Sequence, residues 1–392
     1  MRGMQTASAR LEPMELANAS AVERYVAWVA DSALPYWAQR RPNLILPFAE
    51  QLDRAGHSAW PGYLRLRVVA RQVSVYAQAA EAGLTWALPV AENGWQAMKR
   101  YFWSTVSGWH ARVGSNGQAV DTEFALYDQA FALYACAHWA RVSGAQMPVD
   151  MACRTLDLID RRLRLNEQPG WRTASDNHEH DQNSHMHFLE ALLALLEVAP
   201  EWRIRGRIEE ILDLLATRMV DPNSGAVLEW FGMRWRSPQD GGVVEPGHQY
   251  EWAWLLAQAA RAGFACDAPA RSMLAFADKH GWSPKNGLIY NSCRTDGTVL
   301  SPHHRLWPHC EALRAATVLD DSEAGAERAE RIAAQIMSSF AGRPFAEGWV
   351  SDLDENGVPM VDTVPASSLY HLFEAALALV GCGWATFAEA GR

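Results

Sequence analysis

Long apolar runs, paired cysteines and a secretory leader are all missing from this sequence of 392 residues. No stretch reaches the roughly 18 apolar residues that a membrane-spanning helix needs, so no membrane partner is expected. The six cysteines form no CxxC pair and match no zinc or disulfide framework, which favours reduced thiols. Because the first residues also lack an apolar core of the signal-peptide kind, we expect a cytoplasmic protein.

Basic residues are also scarce relative to acidic ones. The chain has 35 Lys and Arg against 45 Asp and Glu, which gives a formal charge of −10. A nucleic-acid binder neutralises phosphates with clustered Lys and Arg, so nucleic acid is not an expected partner. Hydrophobic residues make up 49% of the chain, the share of a packed globular protein. No linker rich in Pro, Gly or Ser divides it, so a single domain over residues 1–392 is predicted.

Tryptophan, in contrast, is abundant, and its positions reveal a repeat. The chain has 18 tryptophans, and several of its Gly-Trp dipeptides open segments typical of β-hairpins. Gly-Trp opens the segments at residues 108, 170 and 348, and two further hairpin-like segments begin at residues 227 and 287. Asn-Gly or Asp-Gly turns recur in them, as tight hairpins require. The starts are about 60 residues apart, and one period back reaches residue 46, so the spacing indicates six repeated units.

The segments between the hairpins predict helices. Apolar residues recur at helical spacing in residues 156–165, 187–198, 207–219 and 329–340. Each unit therefore has room for two helices and one hairpin. Six such helix pairs closed in a ring form an all-α (α/α)6 toroid with short β-hairpins at one end. An open α-solenoid is the alternative, but such arrays lack a hairpin in every unit.

Polar and aromatic residues collect about 20 residues after each hairpin start, at the beginning of the next helix. In a symmetric ring, equal offsets place all six clusters at one end of the barrel, around its axis. Helix geometry then selects within each cluster, because residues three or four apart share a face. The candidate site residues are Arg71, Tyr127, Asp128, Asn183, His187, His248, Glu251, Trp307, Glu311 and His371.

Each cluster alone also has a structural explanation, since a single histidine on a helix is often a satisfied structural residue. Six clusters in register favour a functional site instead. The segment HEHDQNSHMH at 178–187 suggests a metal site, but His185 and His187 diverge on a helix and no HExxH motif supports one. Nucleophile-elbow, P-loop and dinucleotide-binding motifs are absent as well.

The residue types in these clusters suit a sugar and histidine acid–base chemistry. Indole faces stack on the apolar faces of sugar rings, while carboxylates, Asn and Arg hydrogen-bond to hydroxyls. Two histidines across a cavity suit general acid–base catalysis near neutral pH, whereas a glycosidase more naturally uses two opposed carboxylates. A toroidal glycoside hydrolase or an inactive sugar-binding protein is the competing hypothesis.

Six motifs mark the helix starts: ARQVSVYAQAA, YDQAFAL, NSHMHFLEALLAL, PGHQYEWAWLL, RLWPHCEALRAA and SSLYHLFEA. In these motifs, and over about residues 20–380, the chain resembles the N-acylglucosamine 2-epimerase family. The family fold is an (α/α)6 barrel. The resemblance implies that His371 takes the proton from C2 of the open-chain sugar and that His248 assists ring opening and proton delivery. It further implies that Glu251 supports His248 and that Arg71 binds sugar oxygens and stabilises the enediolate.

The resemblance also implies a monosaccharide substrate with no metal and no redox cofactor. Family substrate-contact positions match Tyr127, Asn183, His187 and Trp307, and we expect Glu311 and Asp128 to bind the sugar with them. Within the family, the SSLYH string and the NHEHDQNSHMH segment look most like the D-mannose isomerase branch. A family arginine about ten residues before His248 is replaced here by Pro238, which argues against an anionic sugar.

The resulting prediction is a metal-independent isomerase that interconverts D-mannose and D-fructose through a cis-enediolate. A sugar 2-epimerase acting on mannose and glucose, or on N-acetylglucosamine and N-acetylmannosamine, would use the same two histidines. An isomerase returns the proton to C1 on one face, whereas an epimerase returns it to C2 on the opposite face. The motifs alone leave both reactions open.

Overall fold

Helices dominate the computed structural model, which describes residues 19–174, 180–199, 202–238, 241–319 and 322–387. Six helices form an inner ring: α2 (Leu66–Glu81), α4 (Leu126–Ser143), α6 (Gln182–Val198), α8 (Pro246–Arg261), α10 (Leu306–Ala316) and α12 (Ser368–Gly381). Six more surround it: α1 (Ala21–Trp28, continued through Val29–Ala33 to Leu34–Ala38), α3 (Leu88–Phe102), α5 (Gln146–Leu163), α7 (Trp202–Leu214), α9 (Asp267–His280) and α11 (Ser322–Ser339).

The inner helices close into a ring. Each packs against the next, and α12 packs against α2. The outer helices α3, α5, α7, α9 and α11 each pack on the inner helix that precedes them in the chain, and α1 packs against α11 and α12. This arrangement confirms the predicted (α/α)6 toroid. Among the described residues, no helix combines the length and apolar character needed to cross a membrane.

Inner and outer helices differ in how much of their surface is buried. In α4 nearly every residue is buried, and alanines at 130, 132, 135 and 137 let neighbouring helices approach closely. In α5 the buried residues, such as Leu156, Ile159 and Leu163, form one stripe, as expected for an amphipathic outer helix. Three of the four helical segments predicted from apolar periodicity lie in α6, in α7 with its π-helical extension Leu215–Met219, and in α11 with the residue after it. The fourth, 156–165, runs two residues past the end of α5 at Leu163.

Short strands gather at one end of the ring, where the inner helices begin. They are β1 (Gln51–Leu52), β2 (Leu64–Arg65), β3 (Trp103–Ser104), β4 (Gly108–Trp109), β5 (Arg112–Val113), β6 (Ala119–Asp121), β7 (His180–Asp181), β8 (Trp230–Phe231), β9 (Ser292–Cys293), β10 (Val299–Ser301), β11 (His304–Arg305), β12 (Asp352–Leu353) and β13 (Val364–Pro365). Four of the strands that lead into inner helices pair with the neighbouring unit: β2 with β5, β7 with β8, β11 with β12, and β13 with β1. The hairpin layer thus ties adjacent units together.

The turn residues behave as the sequence predicts. Gly117, Gly297 and Gly357 have φ values of 76°, 89° and 81°, a left-handed region that glycine enters without strain. The hairpin expected near residue 46 lies slightly later, where Leu52 bridges Ser58. The segment that begins at Gly170 has residues 175–179 outside the described part of the chain.

Tryptophans of the hairpin layer pack against the helices. Trp109 and Trp171 are fully buried, and their indole N–H groups donate to Thr155 and Asp160 of α5. Trp349 is also fully buried and stacks on Trp37 of α1, with ring centroids 5.0 Å apart. The expected structural role of these residues is therefore seen in the packing.

Replacing Trp349 with alanine is expected to lower the free energy of unfolding by about 3–5 kcal/mol, because the cavity left behind removes contacts of a buried ring. Trp230 is the matched control, since it is 54% exposed in the same layer. Its replacement by alanine is expected to change stability by about 0.5 kcal/mol or less. Denaturant unfolding of both variants measures the difference; equal losses would contradict the structural role of Trp349.

Candidate active site

A cavity of about 210 Å³ opens at the hairpin end of the ring axis. Its walls come from the first turns of the inner helices and from the strands beside them. The cavity is lined by Arg71, Tyr127, Asn183, Glu245, His187, His248, Glu251, Arg305, Trp307, Ser351, Asp352, Pro365, Ser367, Ser368 and His371. Eight of the ten predicted site residues are in this set.

The site residues occupy equivalent positions in successive units. The sixth residue of the inner helices α2 to α10 is, in turn, Arg71, Phe131, His187, Glu251 and Glu311. In α12 the corresponding place is taken by His371, the fourth residue of that helix. One backbone position, repeated six times, therefore carries a cation, a ring, two carboxyl groups and two imidazoles.

These six side chains follow one another around the axis, each close to the next. The Arg71 guanidinium lies 4.1 Å from the centre of the Phe131 ring, and the Phe131 and His187 rings are 4.6 Å apart. His187 Nε2 lies 3.8 Å from Glu251 Oε1. Glu251 in turn approaches the carboxylate of Glu311 to within 4.8 Å. Each member is thus positioned by its neighbours on adjacent helices.

His371 is the last of these six residues, and its imidazole is neutral. Its Nδ1 lies 2.6 Å from Glu311 Oε1. The imidazole N–H is taken as the donor, because an ionised carboxylate oxygen can only accept. Burial, followed by the positive charge of Arg71, holds the pKa of His371 well below its usual range. With Nδ1–H committed to Glu311, Nε2 is left with its lone pair, and the side chain lines the cavity.

His248 has the opposite character. Its Nδ1 lies 2.9 Å from Glu229 Oε2 and 3.7 Å from a carboxylate oxygen of Glu245. Burial disfavours the charged imidazolium, but the charge and hydrogen bond of Glu229, aided by Glu245, outweigh it and raise the pKa of His248 to about 9. Trp307 lies between the two histidines, with ring centroids 4.7 Å from His248 and 5.6 Å from His371. The cavity therefore has a proton donor and a proton acceptor on either side of an indole ring.

Arg71 supplies positive charge beside these histidines. Its Nη2 donates to the Tyr127 hydroxyl at 2.8 Å, and no described carboxylate lies within 4 Å of its guanidinium. Asn183 also lines the cavity, and its buried Oδ1 accepts no hydrogen bond from any described residue. Both residues thus retain hydrogen-bonding capacity for a polar ligand.

Beneath the cavity, a fully buried guanidinium holds three carboxylates. Arg314 lies 3.4 Å from Glu311, 3.3 Å from Glu190 and 3.2 Å from Glu374. Glu190 Oε2 lies 3.0 Å from His187 Nδ1, and Glu311 Oε1 lies 2.6 Å from His371 Nδ1. The same arginine therefore reaches two cavity imidazoles through one carboxylate each.

Three predicted roles need correction. Glu251 does not bond to His248; the hydrogen bond goes to Glu229, because that side chain projects from the hairpin directly onto Nδ1. Burial, followed by the charge of Glu311, raises the pKa of Glu251 well above its usual range, and this carboxyl group faces the cavity. Glu311 and Asp128 do not line the cavity: Glu311 stands behind His371, and Asp128 turns to Arg67 at 3.6 Å.

Other residues from the clusters serve the hairpin layer. The Nε2 atoms of His185 and His309 accept hydrogen bonds from the backbone N–H groups of Trp171 at 3.2 Å and Ile289 at 2.9 Å. Trp252, which follows Glu251 in α8, is buried, and its indole N–H donates to Gln182. In the possible metal segment, His178 and Glu179 lie outside the described residues.

Two groups contain donors of the kind that bind metals: Glu229, Glu245 and His248, and Glu251, Glu311 and His371. In each group the imidazole Nδ1 is already joined to a carboxylate by a hydrogen bond. These donors are therefore engaged with one another, and their arrangement suits the orientation of histidines.

Sequence reasoning missed Glu229 and Arg314. Glu229 stands between apolar residues in the string VLEWF, and a carboxylate in a buried hairpin was the signal available. Arg314 follows Glu311 by three residues, so the two share a helix face. Its burial against helices distant in the chain could not be read from that spacing.

Fold and site together define a class: an (α/α)6 toroid with a cavity at its axis that is lined by histidines. The family model for N-acylglucosamine 2-epimerase (GlcNAc 2-epimerase) matches residues 48–375. A mannose-6-phosphate isomerase of Rhizobium meliloti (strain 1021) is 32% identical over 379 residues, covering 91% of this chain and 95% of the relative. A D-mannose isomerase of Pseudomonas cannabina pv. alisalensis is 25% identical over 397 residues, covering 90% and 94%.

Among solved structures, a cellobiose 2-epimerase from Bacillus thermoamylovorans B4167 matches with a TM-score of 0.83 at 20% identity, covering 92% of this chain and 98% of that one. The chain belongs to the N-acylglucosamine 2-epimerase family. This confirms the resemblance in the six motifs, and the protein is an enzyme with isomerase activity.

Replacing Arg314 with methionine is expected to lower kcat by up to about a hundredfold, because His371 and His187 lose the group that fixes their carboxylate partners. It is also expected to move the acidic limb of the pH–rate profile to higher pH, since Arg314 lowers the pKa of His371.

Uncompensated buried carboxylates also cost stability, roughly 3–5 kcal/mol. Arg207→Met is the matched control, because Arg207 is buried but pairs with Asp160 in the outer layer. It is expected to destabilise without shifting the pH profile. If Arg314→Met and Arg207→Met gave the same pH–rate profile, a positioning role for Arg314 would be contradicted.

Proposed function

We propose that this enzyme interconverts D-mannose and D-fructose through a cis-enediolate, without a metal. The observation that carries the proposal is the contrast between His371 and His248, a neutral and a protonated imidazole on the same cavity. General acid–base catalysis needs such a pair near neutral pH. The coarser conclusion, a sugar isomerase or epimerase, follows from family membership.

In the proposed reaction, the imidazolium of His248 donates a proton to the ring oxygen as the C1–oxygen bond breaks, and the imidazole so formed takes the proton of the C1 hydroxyl, which becomes the carbonyl of the open sugar. Nε2 of His371 then takes the proton from C2. The electron pair of that C–H bond forms the C1–C2 double bond, and the carbonyl electrons move to O1. His371 then returns the proton to C1, and the O2 proton moves to O1, which gives the ketose and restores the neutral imidazole of His371. One histidine handles both carbon sites because they lie on the same face.

Arg71 is proposed to stabilise the enediolate. Its guanidinium carries positive charge with no described carboxylate partner, so it is available where oxygen charge develops. Tyr127, Asn183 and His187 are placed to bind hydroxyls, and Trp307 offers a ring face. Glu251, whose pKa is raised by burial, adds one more hydrogen-bonding group to this lining.

The proposed substrate is an uncharged sugar. Arginines near the cavity mouth already have acidic partners: Arg305 lies 3.6 Å from Asp352, and Arg67 lies 3.6 Å from Asp128. Asp352 and Glu245 also line the cavity. A phosphate on the sugar would be repelled by these carboxyl groups. Of the arginines that line the cavity, Arg71 alone has no acidic partner among the described residues.

A sugar 2-epimerase is the second candidate, because two histidines flank the cavity and could exchange a proton on opposite faces. A glycoside hydrolase is less well supported. Of the acidic residues in the lining, burial raises the pKa values of Glu245 and Glu251. Asp352 pairs with Arg305, so no described carboxylate is left for a nucleophile opposite an acid.

Incubation with D-mannose in heavy water, followed by NMR, tests the reaction. Fructose with deuterium at C1 is expected, with the same rate when EDTA is present. Glucose with deuterium at C2 would instead establish the epimerase, and EDTA-sensitive turnover would contradict the metal-free mechanism. His371→Ala is expected to abolish exchange; full activity in that variant would exclude the proposed base.

The pH dependence of kcat/KM tests the roles of the two histidines. A bell-shaped profile is expected. It falls in acid as His371 becomes protonated, and it falls again as pH rises through about 9, where His248 loses its proton. His248→Gln is expected to lose the alkaline limb while keeping the acidic one. An unchanged alkaline limb in that variant would contradict the assignment.

Competition between D-mannose and D-mannose 6-phosphate tests the charge argument. We expect kcat/KM for the free sugar to exceed that for the phosphate by at least about tenfold, a difference of roughly 1.4 kcal/mol. Asp352→Asn is expected to reduce this difference in kcat/KM, because Arg305 loses its acidic partner and becomes available to the phosphate. A preference for the phosphate by the wild-type enzyme would overturn the neutral-sugar proposal.

A further inference from the structure

A second cavity, of about 260 Å³, lies at the opposite end of the ring, where the inner helices end. Its lining comes from the C-terminal halves of α4, α6, α8 and α12 and from the end of α2. Residues important here are Tyr134, His138, Leu193, Trp254, Gln258 and Leu377. None of these residues lines the first cavity.

The second cavity contains buried polar atoms without partners. His138 is only 7% exposed, and neither of its ring nitrogens has a hydrogen-bond partner among the described residues. The buried Nε2 of Gln258 likewise has none. Unpaired buried polar atoms destabilise a fold, and native structures contain few of them. The grouping of three such atoms at one cavity therefore points to a ligand.

The charged groups of this cavity are already matched. Arg141 pairs with Glu81 at 2.6 Å and also with Glu197 at the rim. Glu374 accepts hydrogen bonds from Gln78 at 2.7 Å and Tyr134 at 2.8 Å, besides pairing with Arg314. What remains unpaired is therefore neutral, and an ionic ligand would lack a counter-charge.

The unpaired groups specify the chemistry of a ligand. Burial lowers the pKa of His138 to about 3, so its ring is neutral and offers one N–H donor and one acceptor nitrogen. The Gln258 amide offers a donor. A hydroxyl both donates and accepts, so it can satisfy each of these atoms, while Leu193, Leu377 and Trp254 can cover C–H groups.

We propose that the second cavity binds a small neutral polyhydroxy compound, a monosaccharide or polyol, through hydroxyl contacts with His138 and Gln258. Such an occupant lies on the far side of Arg314 from the first cavity. It contacts Glu190 and Glu374, which line the second cavity and also pair with Arg314. The site is thus adjacent to the network that positions His187 and His371.

Equilibrium dialysis with labelled D-mannitol tests the proposal, because mannitol has no carbonyl group and cannot be isomerised. The measurement uses the Trp307→Ala variant, because loss of this indole weakens mannitol binding in the first cavity. One mannitol per chain is expected. Adding His138→Phe is expected to weaken it about tenfold or more, the cost of a lost hydrogen bond. Gln258→Leu is expected to act in the same direction.

The phenylalanine variant keeps an aromatic ring at this position and removes two unpaired nitrogens, so its melting temperature is expected to be equal or higher. A crystal structure with mannitol is expected to place hydroxyls against His138 and Gln258. Absence of binding, or binding unaffected by His138→Phe, would overturn the proposal. This outcome is independent of whether the enzyme converts mannose, since no turnover is measured.

Discussion

The pairing of Arg314 with three carboxylates is the interaction on which the centre of this ring depends. A fully buried guanidinium is stable only if opposite charges surround it, and Glu190, Glu311 and Glu374 come from three different inner helices. Two of these carboxylates also bind the cavity imidazoles His187 and His371. The same charge balance therefore holds the helices together and orients the histidines, so stability and site geometry are linked.

The sixfold repeat determines where the other site residues lie. One position on each inner helix faces the axis, and the fold places it at the same depth in every unit. Arg71, Glu251 and His371 differ in chemistry but share this geometry, which is why their side chains meet although they are far apart in sequence. The hairpin layer adds further groups to the site: Glu229, the residue before β8, hydrogen-bonds to His248 and raises its pKa.

Much of this was predictable from the sequence. Hairpin-like segments spaced about 60 residues apart, with helical periodicity between them, predict the ring, because tight turns and helical periodicity are local properties. Helix spacing also places Arg71, Asn183 and His371 on the axis. The partner of each histidine was not predictable in this way: whether Glu229 or Glu251 contacts His248 depends on side-chain directions between separate elements.

The central claim is that the two cavity histidines carry different charge near neutral pH. Nitrogen-15 NMR of histidine-labelled protein tests this claim most directly, with His371→Asn and His248→Gln variants used to assign the signals. The account predicts one protonated and one unprotonated ring nitrogen for His371, and two protonated ring nitrogens for His248. A doubly protonated His371, or a neutral His248, would contradict it.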